Sequence, residues 1–129
     1  MNILLWVLQV LLAVVFIAHG LLLLMPPAEI AAQMVMSLPR AFWVFLGVAE
    51  IAAAIGLTLP GLTRVMPWLV SWAAAGIMIV MVSATVWHTI RGELGSAAIT
   101  LVLLAMATFV ARMRHSVLPI AIRRSAQAA

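Results

Sequence analysis

One link of sixteen residues and two of five, carrying half of the charges and four of the six prolines, cut the chain into four long apolar runs. The runs cover residues 3–24, 41–59, 65–90 and 96–111. About 20 apolar helical residues cross the ~30 Å hydrocarbon core of a bilayer. Within lipid each spanning segment must satisfy its own backbone hydrogen bonds, which a helix does. Links this short make successive helices antiparallel neighbours. The pattern therefore predicts an all-α fold, a transmembrane four-helix antiparallel bundle forming one domain. Apolar residues make up 67% of the chain and charged residues 8%, against about half and a quarter in a soluble domain. The 129 residues leave no room for a domain outside the membrane, so function must reside in the bundle or its links.

The boundaries follow from local chemistry. Pro26 and Pro27 end the first run, since proline cannot continue a helix. The link "PPAEIAAQMVMSLPR" has two readings. One is a short interfacial helix, with Pro27 and Glu29 suited to its first turn and Ile30, Met34 and Val35 as its apolar stripe; the other is an ordinary loop. "PGLTR" signals a tight turn after Leu59. Pro67 suits the first turn of the third segment, which ends at "RGELG". Residues 112–129 read as a basic cytoplasmic tail. The apolar N-terminus lacks a positive n-region and is longer than a signal-peptide core, so it reads as a retained span.

All seven basic side chains are arginines, and their distribution predicts orientation. Arg64, Arg112, Arg114, Arg123 and Arg124 fall on the side of the two termini, and Arg40 and Arg91 on the other. The richer side is expected to be cytoplasmic, placing both termini there. Trp6, Trp68 and Trp72 mark one interface and Trp43 and Trp87 the other. No phosphate loop or basic-aromatic array points to nucleic acid. With no cysteine there are no disulfides, thiol chemistry or thiolate metal ligands.

Three ionisable residues fall inside the spans: His19, Glu50 and His88. A charged group at a helix centre costs about 2.5–3.5 kcal/mol on insertion scales, so Glu50 requires a partner, a proton or water. Steps of three and four place it on a face with Gly47, Ala53 and Ala54. Small residues allow close helix approach in membranes, so this face, with Gly56, is expected to pack inside the bundle. Counting at 1.5 Å per residue puts His19 about 8 Å and Glu50 about 15 Å from the end opposite the termini, with His88 close to that end. Thr85 lies one turn before His88 on the same face. These four residues are the candidate polar cluster.

Such a cluster can bind a metal, relay protons beside a quinone, or hold the polar end of a lipophilic ligand. Exchanging protons requires a water path to it. No paired-histidine motif supports a metal, so none is assigned. The alternative is a Glu50 that only hydrogen-bonds neighbouring helices, with the histidines in the wet interface. The methionines read as adaptable packing, and the arginine tail as a contact for anionic lipid. No nucleophile, base and orienting group occur together, so no catalytic residue is assigned.

The stretches "ILLWVLQVLLAVVFIAHG", "FLGVAEIAAAIGLTLPGLTRVMPWL" and "VWHTIRGE" together resemble the DoxX-like family of small bacterial membrane proteins, from about Asn2 to Val110. Gly20, Gly47, Glu50, Gly56, Pro60, Pro67 and His88 carry the resemblance. It implies a four-helix protein of the bacterial inner membrane. Family members are linked in places with redox systems, including quinone-coupled thiosulfate oxidation and a membrane oxidoreductase complex. A lysine often found three residues after the first-span glycine is replaced here by Leu23. The resulting expectation is an accessory subunit of a membrane redox system that binds a quinone or other lipophilic ligand and holds no tightly bound cofactor. The alternatives are an assembly partner of other membrane proteins, or a small-solute transporter as a homo-oligomer. Membrane lipids are the expected surroundings.

Overall fold

The computed structural model describes residues 1–122. Of the tail arginines, Arg123 and Arg124 lie outside the described residues. Five α-helices follow one another: α1 (Asn2–Leu24), α2 (Ala28–Ser37), α3 (Arg40–Thr63), α4 (Leu69–Ile90) and α5 (Leu94–Arg112). A single π-helical turn, Met113–Val117, extends α5. With this turn included, four helices are long and apolar enough to cross a membrane. At 23 residues α1 measures about 35 Å, sufficient for a ~30 Å hydrocarbon core. Large apolar side chains cover their outer faces, including Ile3, Phe45, Trp72, Ile79 and Ile99. That surface matches lipid rather than water.

Helix α1 packs along α3, α3 on α4, and α4 along α5, while α5 closes only lightly against α1. The chain alternates direction, so Asn2, Thr63, Leu69 and the π turn share one end. Leu24, Arg40, Ile90 and Leu94 share the other, which we call the cavity end. The central core comprises Leu5, Leu12, Phe16, Leu57, Ile77 and Val110, all essentially without exposed surface.

The first link is a helix. Pro27 precedes its first turn, Glu29 sits within that turn, and Met34 is its one buried residue. Val35 is exposed, so the apolar contact of α2 is narrower than the stripe of three. Trp43 fixes the end of α2, its indole N–H donating to the Met34 and Leu38 carbonyls at 3.1 and 3.2 Å.

The turn expected at Pro60 does not form there, because α3 runs through Pro60 to Thr63. Proline removes a hydrogen-bond donor, but helices in membrane bundles tolerate it when packing holds them. Gly61 serves packing instead of a turn. A Cβ at this position would meet Ile120 Cδ1 at 2.9 Å and Trp6 Cη2 at 3.0 Å. The helix ends three residues later at Arg64, whose left-handed backbone (φ 57°) forms the C-cap. Pro67 accordingly lies before α4, in a turn that leads to its start at Leu69.

Candidate functional site

The site begins with two glycines. A Cβ at Gly20 would lie 2.8 Å from the Gly47 carbonyl oxygen, and one at Gly47 would lie 2.8 Å from that of Gly20. Helices α1 and α3 therefore touch backbone to backbone, an approach open only to residues without side chains. His19 and Glu50 sit beside this crossing, and His19 Nδ1 lies 2.7 Å from Glu50 Oε2. The counted depths of 8 and 15 Å are reconciled by stagger, with α3 starting about one turn beyond the end of α1. Arg40 exploits the offset: its guanidinium reaches back to the carbonyls of Leu23 and Leu24 and caps α1. An arginine counted as a topology signal is thus also a structural clamp.

Glu50 is 2% exposed, and its Oε1 has no hydrogen-bond partner among the described residues. On its own helix Glu50 is flanked by the small residues Gly47, Ala53 and Ala54. Ala54 is fully buried, and a Cβ at Gly56 would meet Ala73 Cβ at 2.8 Å, so α3 and α4 approach through Gly56 against the Ala73 methyl. Ala53 lines a void of about 100 Å³ beside Glu50, together with Phe16 and Gly76. A much larger cavity of about 650 Å³ lies toward the cavity end, lined by residues of all four spans. Phe16, Phe42, Trp43 and Trp87 give it aromatic walls, and its polar points include His19, Glu50 and His88. Ile79 and Ile99 line it and are also surface-exposed, so it reaches the lateral face of the bundle.

The three ionisable residues share this cavity but do not form one hydrogen-bonded cluster. His88 Nδ1 pairs instead with Glu93 Oε2 at 2.6 Å. Arg91 Nε donates to Glu93 Oε1 at 2.8 Å, and its guanidinium lies 5.6 Å from the Trp87 ring centroid. Arg91 in first place, and His88 after it, hold the Glu93 carboxyl below its usual range. Thr85 does not line the cavity. Its hydroxyl donates to the Met81 carbonyl at 2.7 Å and meets the Thr100 hydroxyl at 2.8 Å, joining α4 to α5. Thr100 takes its place on the cavity wall. Among the described residues no three His, Cys, Asp or Glu gather as a metal site.

Two polar groups escaped the sequence reading. Glu93 was assigned no role, although it lies five residues after His88, within reach once the chain turns at Gly92 (φ +72°). Gln9 lies in the middle of "VLQVLL" and is fully buried. It donates to the Leu57 carbonyl at 2.6 Å and accepts from Arg114 Nε at 2.7 Å. Arg114 also reaches Asn2 Oδ1 at 2.8 Å and stands over the Trp6 ring. This network ties the π turn to α1 and, through Gln9, to α3, at the end opposite the cavity. The rule applied to Glu50, that a polar group within a span needs a partner, would have flagged Gln9 as well.

Residues 7–110 match the sequence model of the DoxX-like family. No curated protein and no solved structure matches the chain. The match takes in all of α2, α3 and α4, most of α1 and nearly all of α5, including His19, Glu50, His88 and Glu93. With four membrane-length apolar helices and a match across most of the bundle, the chain is a multi-pass membrane protein and belongs to the DoxX-like family.

Proposed function

We propose that this protein binds a lipophilic, quinone-like molecule in the 650 Å³ cavity, its polar end on the His19–Glu50 pair and its apolar body against Phe16, Phe42, Trp43 and Trp87. The observation that carries the reading is the pairing of aromatic walls with a contact between a half-exposed His19 and the buried carboxylate of Glu50. Ligand sites are mostly apolar concavities with a few convergent polar groups, and an ionisable residue within a span is by default a functional one. The redox associations of the family support a role as an accessory subunit of a membrane redox system. On this reading the protein sits in a bacterial inner membrane, both termini cytoplasmic, with the cavity opening toward the opposite face. The arginine distribution supports that orientation.

The assembly-partner alternative draws less support. Gly47, Ala53, Ala54 and Gly56 would be its docking surface, and all four are engaged within the bundle. To test the ligand reading, the protein in lipid nanodiscs is titrated with a short-chain alkyl benzoquinone. We expect binding to weaken about tenfold or more in Glu50→Gln and His19→Leu. Equal affinity in the wild type and both variants would refute the pocket assignment.

A further inference from the structure

We infer that the cavity selects the reduced, hydroxyl-bearing form of its ligand, a hydroquinone, over the quinone itself. The inference rests on the proposed function and names the form of ligand that the site fits. Its origin is one atom, Glu50 Oε1, which has no hydrogen-bond partner among the described residues although the side chain is almost wholly buried. The other oxygen, Oε2, lies 2.7 Å from His19 Nδ1. One proton fills that contact. With the proton on Nδ1, Glu50 is a carboxylate and Oε1 is an acceptor. With the proton on Oε2, Oε1 is the carbonyl oxygen of the acid and is again an acceptor. What Oε1 offers a ligand is therefore the same whichever partner holds the proton.

A buried acceptor without a donor is unfavourable, and the surrounding side chains supply none. The void of about 100 Å³ beside Glu50 is otherwise lined by apolar residues and Gly76. A buried water normally has two to four polar partners, and in that void Glu50 would be its one polar side chain. The Arg40 guanidinium is committed to the Leu23 and Leu24 carbonyls. On the wall of the larger cavity, Ser83 donates to the Ile79 carbonyl, Thr100 to that of Ala97, and His88 pairs with Glu93. Hydroxyls and imidazoles can donate or accept, so these groups suit either form of the ligand. Discrimination falls to Oε1.

The two forms differ by two electrons and two protons, and so in what their oxygens can do. A hydroquinone O–H donates to Oε1 and completes the pair. A quinone carbonyl in the same place sets two acceptors face to face. It can still accept from His19 Nε2 when that nitrogen carries a proton, and the half-exposed His19 ring is held by Glu50, so the quinone binds, but more weakly. A site built to hydrogen-bond a ligand hydroxyl rejects the analogue lacking it more strongly than an apolar pocket discriminates by shape.

The test uses the full-length protein in lipid nanodiscs without oxygen, with empty nanodiscs correcting for partition into lipid. Three short-chain alkyl compounds are titrated by calorimetry: a benzoquinone, its hydroquinone, and the dimethyl ether of that hydroquinone, which keeps both oxygens and has no O–H. The hydroquinone is expected to bind about tenfold or more tighter than either of the others. Tenfold corresponds to a rise of about 30 mV in the midpoint potential of the bound two-electron couple, read by redox titration. In Glu50→Gln, whose amide N–H can face a carbonyl, the preference should fall to within about twofold. The comparison within the wild type covers the case in which that variant does not fold. A quinone or dimethyl ether bound as tightly as the hydroquinone would overturn the inference and leave the pocket standing, as would a preference that persists in Glu50→Gln. Binding of none of the three would refute the proposed function, and this inference with it.

Discussion

Substituting alanine for Gly47 tests how the bundle positions the His19–Glu50 pair. In a helix exposed to its surroundings, Gly→Ala stabilises by roughly 0.5–1 kcal/mol through lost chain entropy. At Gly47 the new Cβ would meet the Gly20 carbonyl oxygen at 2.8 Å, Leu24 Cγ at 3.1 Å and Leu23 Cβ at 3.2 Å. The side chains can rotate away, but the carbonyl belongs to a hydrogen-bonded helix and cannot. Helix α1 must retreat by about 0.6 Å to restore ordinary contact, and overpacking of this kind costs about 1–3 kcal/mol. The same retreat stretches the 2.7 Å His19–Glu50 contact to about 3.3 Å, past the usual hydrogen-bond range. Net destabilisation of about 1–2 kcal/mol is expected, read by reversible unfolding in mixed micelles, with weakening of the His19 Nδ1 proton signal in NMR. Gly95→Ala is the control, because a Cβ there meets nothing within 4 Å, and it should be neutral or slightly stabilising. Equal stability of the two variants, with the His19 signal retained in Gly47→Ala, would refute this account of the α1–α3 contact.

The pair itself should respond asymmetrically. His19, half exposed, contacts the buried Glu50 carboxylate, so His19→Leu leaves that carboxylate without its partner and should cost about 1–3 kcal/mol, whereas replacing both residues with leucine should restore most of the stability while abolishing quinone binding. A double-mutant cycle with thermal unfolding and ligand titration checks both parts. At the opposite end, Arg114→Leu removes charged hydrogen bonds to Gln9 and Asn2 and should cost about 1.5–3 kcal/mol. Limited proteolysis near residue 118 should accelerate in that variant, and an unchanged cleavage rate would count against the tie. Glu93 should confer a pH dependence on the α4–α5 link. Its folded pKa is depressed, so its contribution to stability is present above its usual value near 4.5 and is lost as pH falls through the lower folded value. Titration of its carboxyl by NMR should give a midpoint below 4.5, rising toward that value in Arg91→Gln.

The membrane class, the helical composition and the existence of an interior carboxylate were legible in the residues alone. These follow from local quantities: the length of the apolar runs, the cost of unsatisfied backbone in lipid, and the helical spacing that groups Glu50 with Gly47 and Ala54. Where a residue type has two physical uses, the local reading failed. Pro60 and Gly61 signal a turn in isolation, but packing under Trp6 and Ile120 keeps the helix running to Thr63. Arg40 is a topology charge in the sequence and a cap for α1 in the fold. The partners were settled by packing. Depth counting brought His19, Glu50 and His88 to the same half of the bundle, but helix stagger and rotation are set by which backbones can touch. The Gly20–Gly47 crossing gives Glu50 to His19, and the turn at Gly92 gives His88 to Glu93. The same reason hid the Gln9–Arg114 tie, whose two ends lie 105 residues apart and meet only once the π turn folds beneath α1.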